Sequence, residues 1–227
     1  MKSYEILLID IDRTLLDFDK AQKICLERVF LANRLNFNEA IYLKYVLSDQ
    51  KWWEDVEKGI LGINTLSDKR FGTILAELGF KVDAKLIYDQ YIDLLGKLVF
   101  LIDGAQQVCS ELNKRKRLFA ASNGFYDLQI NRLANAGILT LFEEIYVSDR
   151  IGHAKPNNQF YQYIFNQLKV NDLSKVLMIG DSLSSDITGG INAGIDTCWV
   201  NLENKANNTA IIPTYTIDNL LDLLLII

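Results

Sequence analysis

Four acids, Asp10, Asp12, Asp181 and Asp186, stand just after two short apolar runs of this sequence. Clustered carboxylates repel one another and lose hydration, so they persist only beside a compensating cation. Ligands that are all oxygen, some of them from backbone and water, suit Mg²⁺. If folding brings these acids together, the sequence predicts a Mg²⁺ site.

Small polar residues and a lysine follow the other apolar runs. Ser122, Asn123 and Gly124 come after one of them, and Lys155 lies in a loop beyond the next. A cation, Lys155 and the backbone N–H groups after Ser122 would together form a site for an anion with several oxygens. A phosphoryl group is the obvious candidate.

Short apolar runs alternate with amphipathic stretches through the second half of the chain. The predicted strands are 6–9, 118–121, 145–147, 176–179 and 197–200, and the predicted helices are 105–114, 125–136, 158–168 and 185–193. This alternation predicts an α/β fold, a doubly wound, Rossmann-like parallel sheet covered on both faces. Such sheets bind ligands at the carboxyl ends of their strands, where the polar residues above stand.

The stretch 17–99 does not show this alternation of strands and helices. It is rich in aromatic residues and leucine at helical spacing, and it shows no convincing buried strand. We therefore expect an inserted all-helical cap domain of about four helices over 17–99. Residues 1–16 and 100–227 would form the catalytic core.

Composition narrows the class of partner and the compartment. The formal net charge of −5 argues against a nucleic-acid polymer as partner, because phosphate-backbone binding needs a basic footprint. Cys25, Cys109 and Cys198 are far apart, which predicts buried, reduced thiols in a cytoplasmic protein. The apolar tail 220–227 is too short for a membrane span, so we expect a docked helix and no membrane partner. The oligomeric state stays open.

Four motifs together resemble those of the haloacid dehalogenase-like (HAD) hydrolase superfamily. They are DIDRT (10–14), SNG (122–124), the Lys155-Pro156 step and GDSLSSD (180–186), and the resemblance covers the whole chain with the motifs in order. The resemblance implies a Mg²⁺-dependent phosphatase that acts on a small phosphomonoester through an aspartyl-phosphate. It also implies a helical cap between the first and second motifs.

By this resemblance Asp10 is the nucleophile. Asp12 is the general acid that protonates the leaving oxygen and then the base that activates water. Mg²⁺ would be held by the Asp10 carboxylate, the Asp12 backbone carbonyl and Asp181. Asp186 would act on the metal through water.

The same resemblance assigns phosphate binding to Ser122, Asn123, Lys155 and Thr14, with Thr14 also orienting the loop that carries the second acid. Arg13 departs from the family pattern, which usually has a small or acidic residue there. Its side chain would either face solvent or contact a substrate, and the sequence does not decide between the two.

The cap resembles one branch of the superfamily, the nucleotidases that hydrolyse nucleoside monophosphates, including noncanonical pyrimidine ones. Trp53, Gly59, Arg70 and Phe71 carry this resemblance. It extends over the stretches 122–138, 180–201 and 213–218. Adjacent Trp52 and Trp53 face different directions on a helix, so they and Arg70 are candidates for substrate contact, with core packing as the alternative for the tryptophans.

Other functions fit parts of the pattern. The same core could serve a phosphatase for sugar or other small metabolite phosphates, or a phosphoglucomutase-type phosphotransferase. A 2-haloacid dehalogenase is disfavoured because such enzymes need no second acid or metal, and this chain keeps Asp12 and Asp181. A non-catalytic binding module is disfavoured by the intact set of catalytic residues.

His153, the only histidine, is expected to make a local hydrogen bond in its loop.

Overall fold

The computed structural model of the chain describes residues 2–62 and 68–227, and the side chains of residues 68–70 lie outside this description. The strands of the described ranges are β1 (Ile6–Ile9), β2 (Arg117–Ser122), β3 (Glu144–Val147), β4 (Val176–Gly180), β5 (Asp196–Val200) and β6 (Tyr215–Ile217). The helices are α1 (Phe18–Ala32), α2 (Glu39–Glu57), α3 (Asp68–Glu77), α4 (Ala84–Lys97), α5 (Ala105–Asn113), α6 (Tyr126–Asn135), α7 (Ser148–Ile151), α8 (Asn158–Leu168), α9 (Thr188–Asn192) and α10 (Leu223–Ile226).

The strands form one parallel sheet in the order β3-β2-β1-β4-β5-β6. The strand order reverses at β1, which has β2 on one side and β4 on the other. A crevice opens at the carboxyl ends of the strands at such a reversal point. The predicted doubly wound sheet is therefore confirmed, and its geometry brings the ends of β1, β2 and β4 side by side.

Side chains along β1 alternate between the two faces of the sheet, as the period of a strand requires. Leu7 and Ile9 lie in a hydrophobic cluster with α5, α6 and the C-terminal segment. Ile6 and Leu8 lie in a second cluster on the opposite face, mainly with α8. Because both faces of the sheet are covered, every residue of β1 is apolar. The first polar residue after β1 is Asp10, which lies at the crevice.

Helices α1 to α4, called the helical insertion below, lie between β1 and α5 in the chain and have a hydrophobic cluster of their own. Three of them begin at side-chain caps: Asp17 accepts from the Lys20 N–H, Asn38 from the Ile41 N–H, and Asp83 from two N–H groups of α4. Aromatic rings such as Phe30, Tyr45, Phe71 and Tyr91 fill the interior of this cluster.

Helix α6 lies between the insertion and the sheet. Its Leu128 packs on the cluster of the helical insertion, whereas its Leu133 lies in the cluster under the sheet. The Asn135 side chain donates to the Gly96 carbonyl of α4 at 2.9 Å. Residues on α6 therefore contact both the helical insertion and the sheet.

Three elements differ from the prediction, and one of them is the four-residue helix α7, which was not predicted. Strand β6 was not predicted as a strand, because it has three residues and lies at the sheet edge, too short for alternation to be visible. The predicted helix 185–193 is divided into a π-helical turn, Leu183–Ile187, and α9.

The predicted terminal helix is present as the turn Leu220–Asp222 and α10, and all three cysteines are buried as expected. Among the described residues, every helix is too short or too polar to cross a bilayer.

Candidate active site

Three carboxylates meet at the carboxyl edge of the sheet. Asp10 follows β1, Asp181 follows β4, and Asp186 lies in the π-helical turn; one oxygen from each lies within 4.8 Å of the others. Gly180 makes this approach possible, because a Cβ at this position would lie 2.2 Å from Asp186 Oδ2. The side chain of Asp186 also accepts from the Ser182 N–H at 3.1 Å, which fixes its direction.

Lys155 reaches the same cluster from the loop beyond β3. Its ammonium group donates to Asp10 Oδ1 at 2.7 Å, to Asp186 Oδ1 at 2.6 Å and to the Ala121 carbonyl of β2. The side chain is 1% exposed. Burial opposes its charge, but the carboxylates of Asp10 and Asp186 outweigh burial and hold the pKa of Lys155 well above its ordinary value.

The cluster holds more negative than positive charge. Burial raises the pKa of Asp10 well above its ordinary value despite the nearby ammonium group of Lys155, and the neighbouring acids raise it further. Burial and the Asp186 carboxylate raise the pKa of Asp181 to about 7. Three acids, of which Asp10 and Asp186 are buried, favour the uptake of either a proton or a cation beside the single lysine. Oxygen ligands in this number fit Mg²⁺, and Asp10, Asp181 and Asp186 are the side chains that would hold it.

The side-chain amide of Asn123 makes two hydrogen bonds with the backbone of Lys155. Its Nδ2 donates to the Lys155 carbonyl and its Oδ1 accepts from the Lys155 N–H, both at 2.8 Å. Asn123 therefore fixes the start of the lysine side chain rather than pointing its amide into the site. A phosphate contact by Asn123 would have to come from its backbone N–H, and that contact stays a prediction.

Ser122 lies at the end of β2 and is buried. Its Oγ accepts a hydrogen bond from Gln129 Nε2 at 2.9 Å. Because the hydroxyl acts as acceptor in this bond, its own hydrogen is left to donate elsewhere. The predicted phosphoryl contact is compatible with this arrangement.

Asp12 is part of the site but not of the carboxylate cluster. Its side chain points to α6, where Oδ1 accepts from Arg132 Nη1 and Oδ2 accepts from Gln129 Nε2 at 2.8 Å. A metal contact through its backbone carbonyl remains a prediction. Thr14 is fully buried in the turn after β1, and its hydroxyl has no hydrogen-bond partner within the described part of the chain, so its predicted role is untested.

Sequence reasoning missed Gln129 and Arg132. Both lie three residues apart on one face of α6 and are almost completely buried, with 2% and 1% of their surface exposed. Polar residues on an amphipathic helix are usually assigned to solvent. The available signal was their position one and two turns after the Ser122-Asn123-Gly124 motif, on a helix that starts at the site.

A cavity of about 460 Å³ opens above these residues towards the helical insertion. Trp53 lines it, whereas Trp52 is not among the lining residues; both tryptophans pack in a small cluster around Val56. Acidic side chains of α2 face the same cavity, and Glu57 accepts from the Ser184 hydroxyl at 3.1 Å. The Arg70 side chain lies outside the described residues, so its predicted contact is not tested.

Arg13 borders the cavity but is already paired. Its guanidinium makes a salt bridge with Asp19 at 2.7 Å and lies 5.1 Å from the centre of the Phe18 ring. Its φ of 60° places it in the left-handed region, at the tight turn that follows β1. His153 is half-buried in the loop before Lys155, and its predicted hydrogen bond stays a prediction.

Comparisons with known proteins agree with this geometry. Residues 4–194 match the family model of the haloacid dehalogenase-like hydrolases. The HAD-hydrolase YfnB of Bacillus subtilis is 35% identical over 98% of this chain and 95% of its own length. A crystal structure of YfnB bound to magnesium superposes with a TM-score of 0.90 and covers 99% of both chains.

Two further relatives carry a more specific name. The pyrimidine 5′-nucleotidase PynA of Streptococcus pneumoniae is 34% identical over 97% of this chain and 94% of its own. The pyrimidine 5′-nucleotidase YjjG of Escherichia coli is 30% identical over 97% of this chain and 96% of its own. From the family match and these full-length relatives, the chain belongs to the haloacid dehalogenase-like hydrolases.

Proposed function

We propose that this protein is a Mg²⁺-dependent phosphatase that hydrolyses nucleoside 5′-monophosphates, pyrimidine ones first, through an aspartyl-phosphate on Asp10. The observation that carries the proposal is the buried contact of Lys155 with Asp10 and Asp186, with Asp181 alongside. A nucleophilic carboxylate, a fixed ammonium group and excess negative charge suited to a divalent cation are what phosphoryl transfer requires. Two full-length relatives with pyrimidine 5′-nucleotidase names support the substrate class.

In the first step an oxygen of Asp10 attacks phosphorus in line with the ester oxygen. The P–O bond to the leaving group breaks, and Asp12 gives a proton to the departing oxygen. The Ser122 hydroxyl holds a phosphoryl oxygen, and the nearby positive charge of Lys155, whose three N–H donors bind Asp10, Asp186 and the Ala121 carbonyl, offsets the charge that develops on the phosphoryl group. The products are a free nucleoside and a phosphorylated Asp10.

In the second step Asp12, now ionised, takes a proton from a water molecule, and this water attacks phosphorus. The bond between phosphorus and the Asp10 oxygen breaks, which regenerates the carboxylate and releases inorganic phosphate. A bound Mg²⁺ would supply neutralisation of the negative charge shared by the phosphoryl group and the acids around it.

Residues 17–99 would act as a cap over this core, with 1–16 and 100–227 as the catalytic part. The core residues contact only the phosphoryl group, so discrimination between substrates has to come from the cavity wall that the cap supplies. Trp53 offers an aromatic face there. Stacking of a base on such a face contributes about 1–3 kcal/mol.

A substrate panel tests the proposed class. Pyrimidine nucleoside 5′-monophosphates should have a kcat/KM about 10–100 times that of hexose monophosphates of equal charge, because the sugar ring has no face to stack. Phosphate release should stop in excess chelator and return with added Mg²⁺. Faster turnover of hexose phosphates would instead favour a sugar phosphatase, and activity unchanged by chelation would contradict the metal requirement.

Replacing Trp53 with alanine should reduce the preference for nucleotides over hexose phosphates by about tenfold, the loss of one stacking contact. Hexose phosphate hydrolysis should change little. Trp52→Ala is the matched control, since the neighbouring indole lies outside the cavity lining. The stacking rationale fails if the two variants change the ratio equally or if neither changes it.

Replacing Asp12 with asparagine should lower kcat for a nucleoside monophosphate by about 10²–10⁴, the usual contribution of a general acid–base. Mg²⁺ binding should persist, because the proposed contact of this residue is a backbone carbonyl. The loss should be smaller for nitrophenyl phosphate, whose leaving group needs no proton. An equal loss for both esters would count against the role as acid to the leaving group.

A further inference from the structure

A buried arginine and glutamine on α6 are connected to the acid–base residue. Arg132 Nη1 and Gln129 Nε2 donate to the two oxygens of Asp12, one to each. Arg132 Nη1 also donates to Gln129 Oε1 at 3.0 Å. Because a guanidinium can only donate and a carboxylate only accept, this pattern also fixes which end of the Gln129 amide carries the oxygen.

The same amide nitrogen connects two parts of the site. Gln129 Nε2 has two hydrogens, one directed to Asp12 at 2.8 Å and the other to Ser122 Oγ at 2.9 Å. The group that would give and take protons and the hydroxyl that would hold the phosphoryl group are thereby fixed relative to each other. Both hydrogen bonds come from α6, so the position of the Asp12 side chain is set by this helix as well as by the loop after β1.

Stability does not account for this arrangement. Arg132 is 1% exposed, and its Nε and Nη2 have no hydrogen-bond partner within the described ranges. The Phe18 ring, 5.4 Å from the guanidinium carbon, gives the cation only weak compensation. A buried cation with unpaired N–H groups is unfavourable compared with an apolar side chain of similar length, so an arginine here needs another reason.

Resting on the proposed function, we infer that Arg132 and Gln129 are positioning residues that hold Asp12 at the site of proton transfer and set its place relative to Ser122. The two act through Asp12 and need not touch the substrate. Their position on α6, which packs on α4 as well as on the sheet, lets them hold the acid–base residue against both layers of the protein.

Variants in two backgrounds test this inference. In the otherwise unchanged protein, Arg132→Met should lower kcat for a pyrimidine nucleoside 5′-monophosphate by about 10–100-fold, because a misplacement of about 1 Å costs this much. KM should stay within about threefold, since binding of the phosphoryl group is preserved. The loss should be smaller for nitrophenyl phosphate. Gln129→Met should act in the same direction, and Arg132→Lys, which keeps a charged donor, should retain part of the rate.

The deciding comparison is the double variant. If Arg132 acts through Asp12, adding Arg132→Met to Asp12→Asn should cause little further loss, because nothing remains to be positioned. Losses that multiply would overturn the inference, as would a change confined to KM or equal losses for both esters. Should the methionine variant not fold, Gln129→Met and Arg132→Lys support the same comparison. Arg150→Met, at an exposed arginine paired with Asp127 on the surface, is the matched control and should be unchanged.

These outcomes separate the inference from the function on which it rests. A wild-type protein that releases no phosphate from any of these esters would remove both. An active wild-type enzyme that is impaired by Asp12→Asn, but shows multiplying losses in the double variant, would overturn the positioning role alone.

Discussion

Replacing Asp10 with asparagine is expected to reduce phosphate release by about 10⁴–10⁶, the scale of loss when an enzyme loses its nucleophile. An amide is a poor nucleophile and a weak Mg²⁺ ligand. Folding should survive, because Lys155 keeps its contact with Asp186 and the cluster loses one of its repelling charges. A steady-state phosphate assay and a thermal melt of the same sample give both results.

The matched control for this change is Asp93→Asn, an exposed acid paired with Lys97 on α4. It removes an exposed carboxylate of the same kind that does not line the cavity, and activity should be unchanged. Full turnover by the Asp10→Asn protein would contradict the assignment of the nucleophile. A collapsed melting curve would instead show that Asp10 is needed for folding.

Replacing Lys155 with methionine is expected to affect both stability and activity. The change leaves Asp10 and Asp186 buried without their shared cation, and removing one partner of a buried ion pair costs about 3–5 kcal/mol in the free energy of unfolding. The rate should fall by about 10²–10³, as for loss of one group that stabilises transition-state charge. Denaturant titration and a phosphate assay measure the two effects.

Mg²⁺ should recover part of the lost stability of this variant, because a cation held by the same carboxylates replaces some of the missing positive charge. Lys97→Met, at an exposed lysine in an ion pair on α4, is the control and should change stability by less than about 1 kcal/mol. A Lys155→Met protein as stable and as active as the wild type would contradict the electrostatic account of the site.

The sequence predicted the position of site residues where a polar residue directly follows a buried strand. Asp10 follows four apolar residues of β1, and Asp181 follows β4, so their meeting at one edge could be predicted from the rule for parallel sheets. Asp186, which stands one turn after the end of β4, was also predicted to lie at this edge. The space that Gly180 leaves for it appears only in three dimensions.

Other features depend on tertiary contacts that no local pattern carries. Arg132 and Gln129 have the helical spacing of a solvent-facing pair, and their burial results from the close packing of α6 under the helical insertion. Likewise, two adjacent tryptophans are equivalent in the sequence. Only the orientation of α2 over the sheet brings Trp53, and not Trp52, to the cavity.

The stereochemical course at phosphorus tests the central claim, that a covalent phosphoryl group is formed and then hydrolysed. A phosphorothioate monoester made chiral with oxygen isotopes can be hydrolysed by the enzyme in isotopically labelled water, and the configuration of the released thiophosphate determined. Each in-line displacement inverts phosphorus, so attack by Asp10 followed by attack of water predicts net retention. Net inversion would mean that water attacks the substrate directly, and it would contradict the aspartyl-phosphate account.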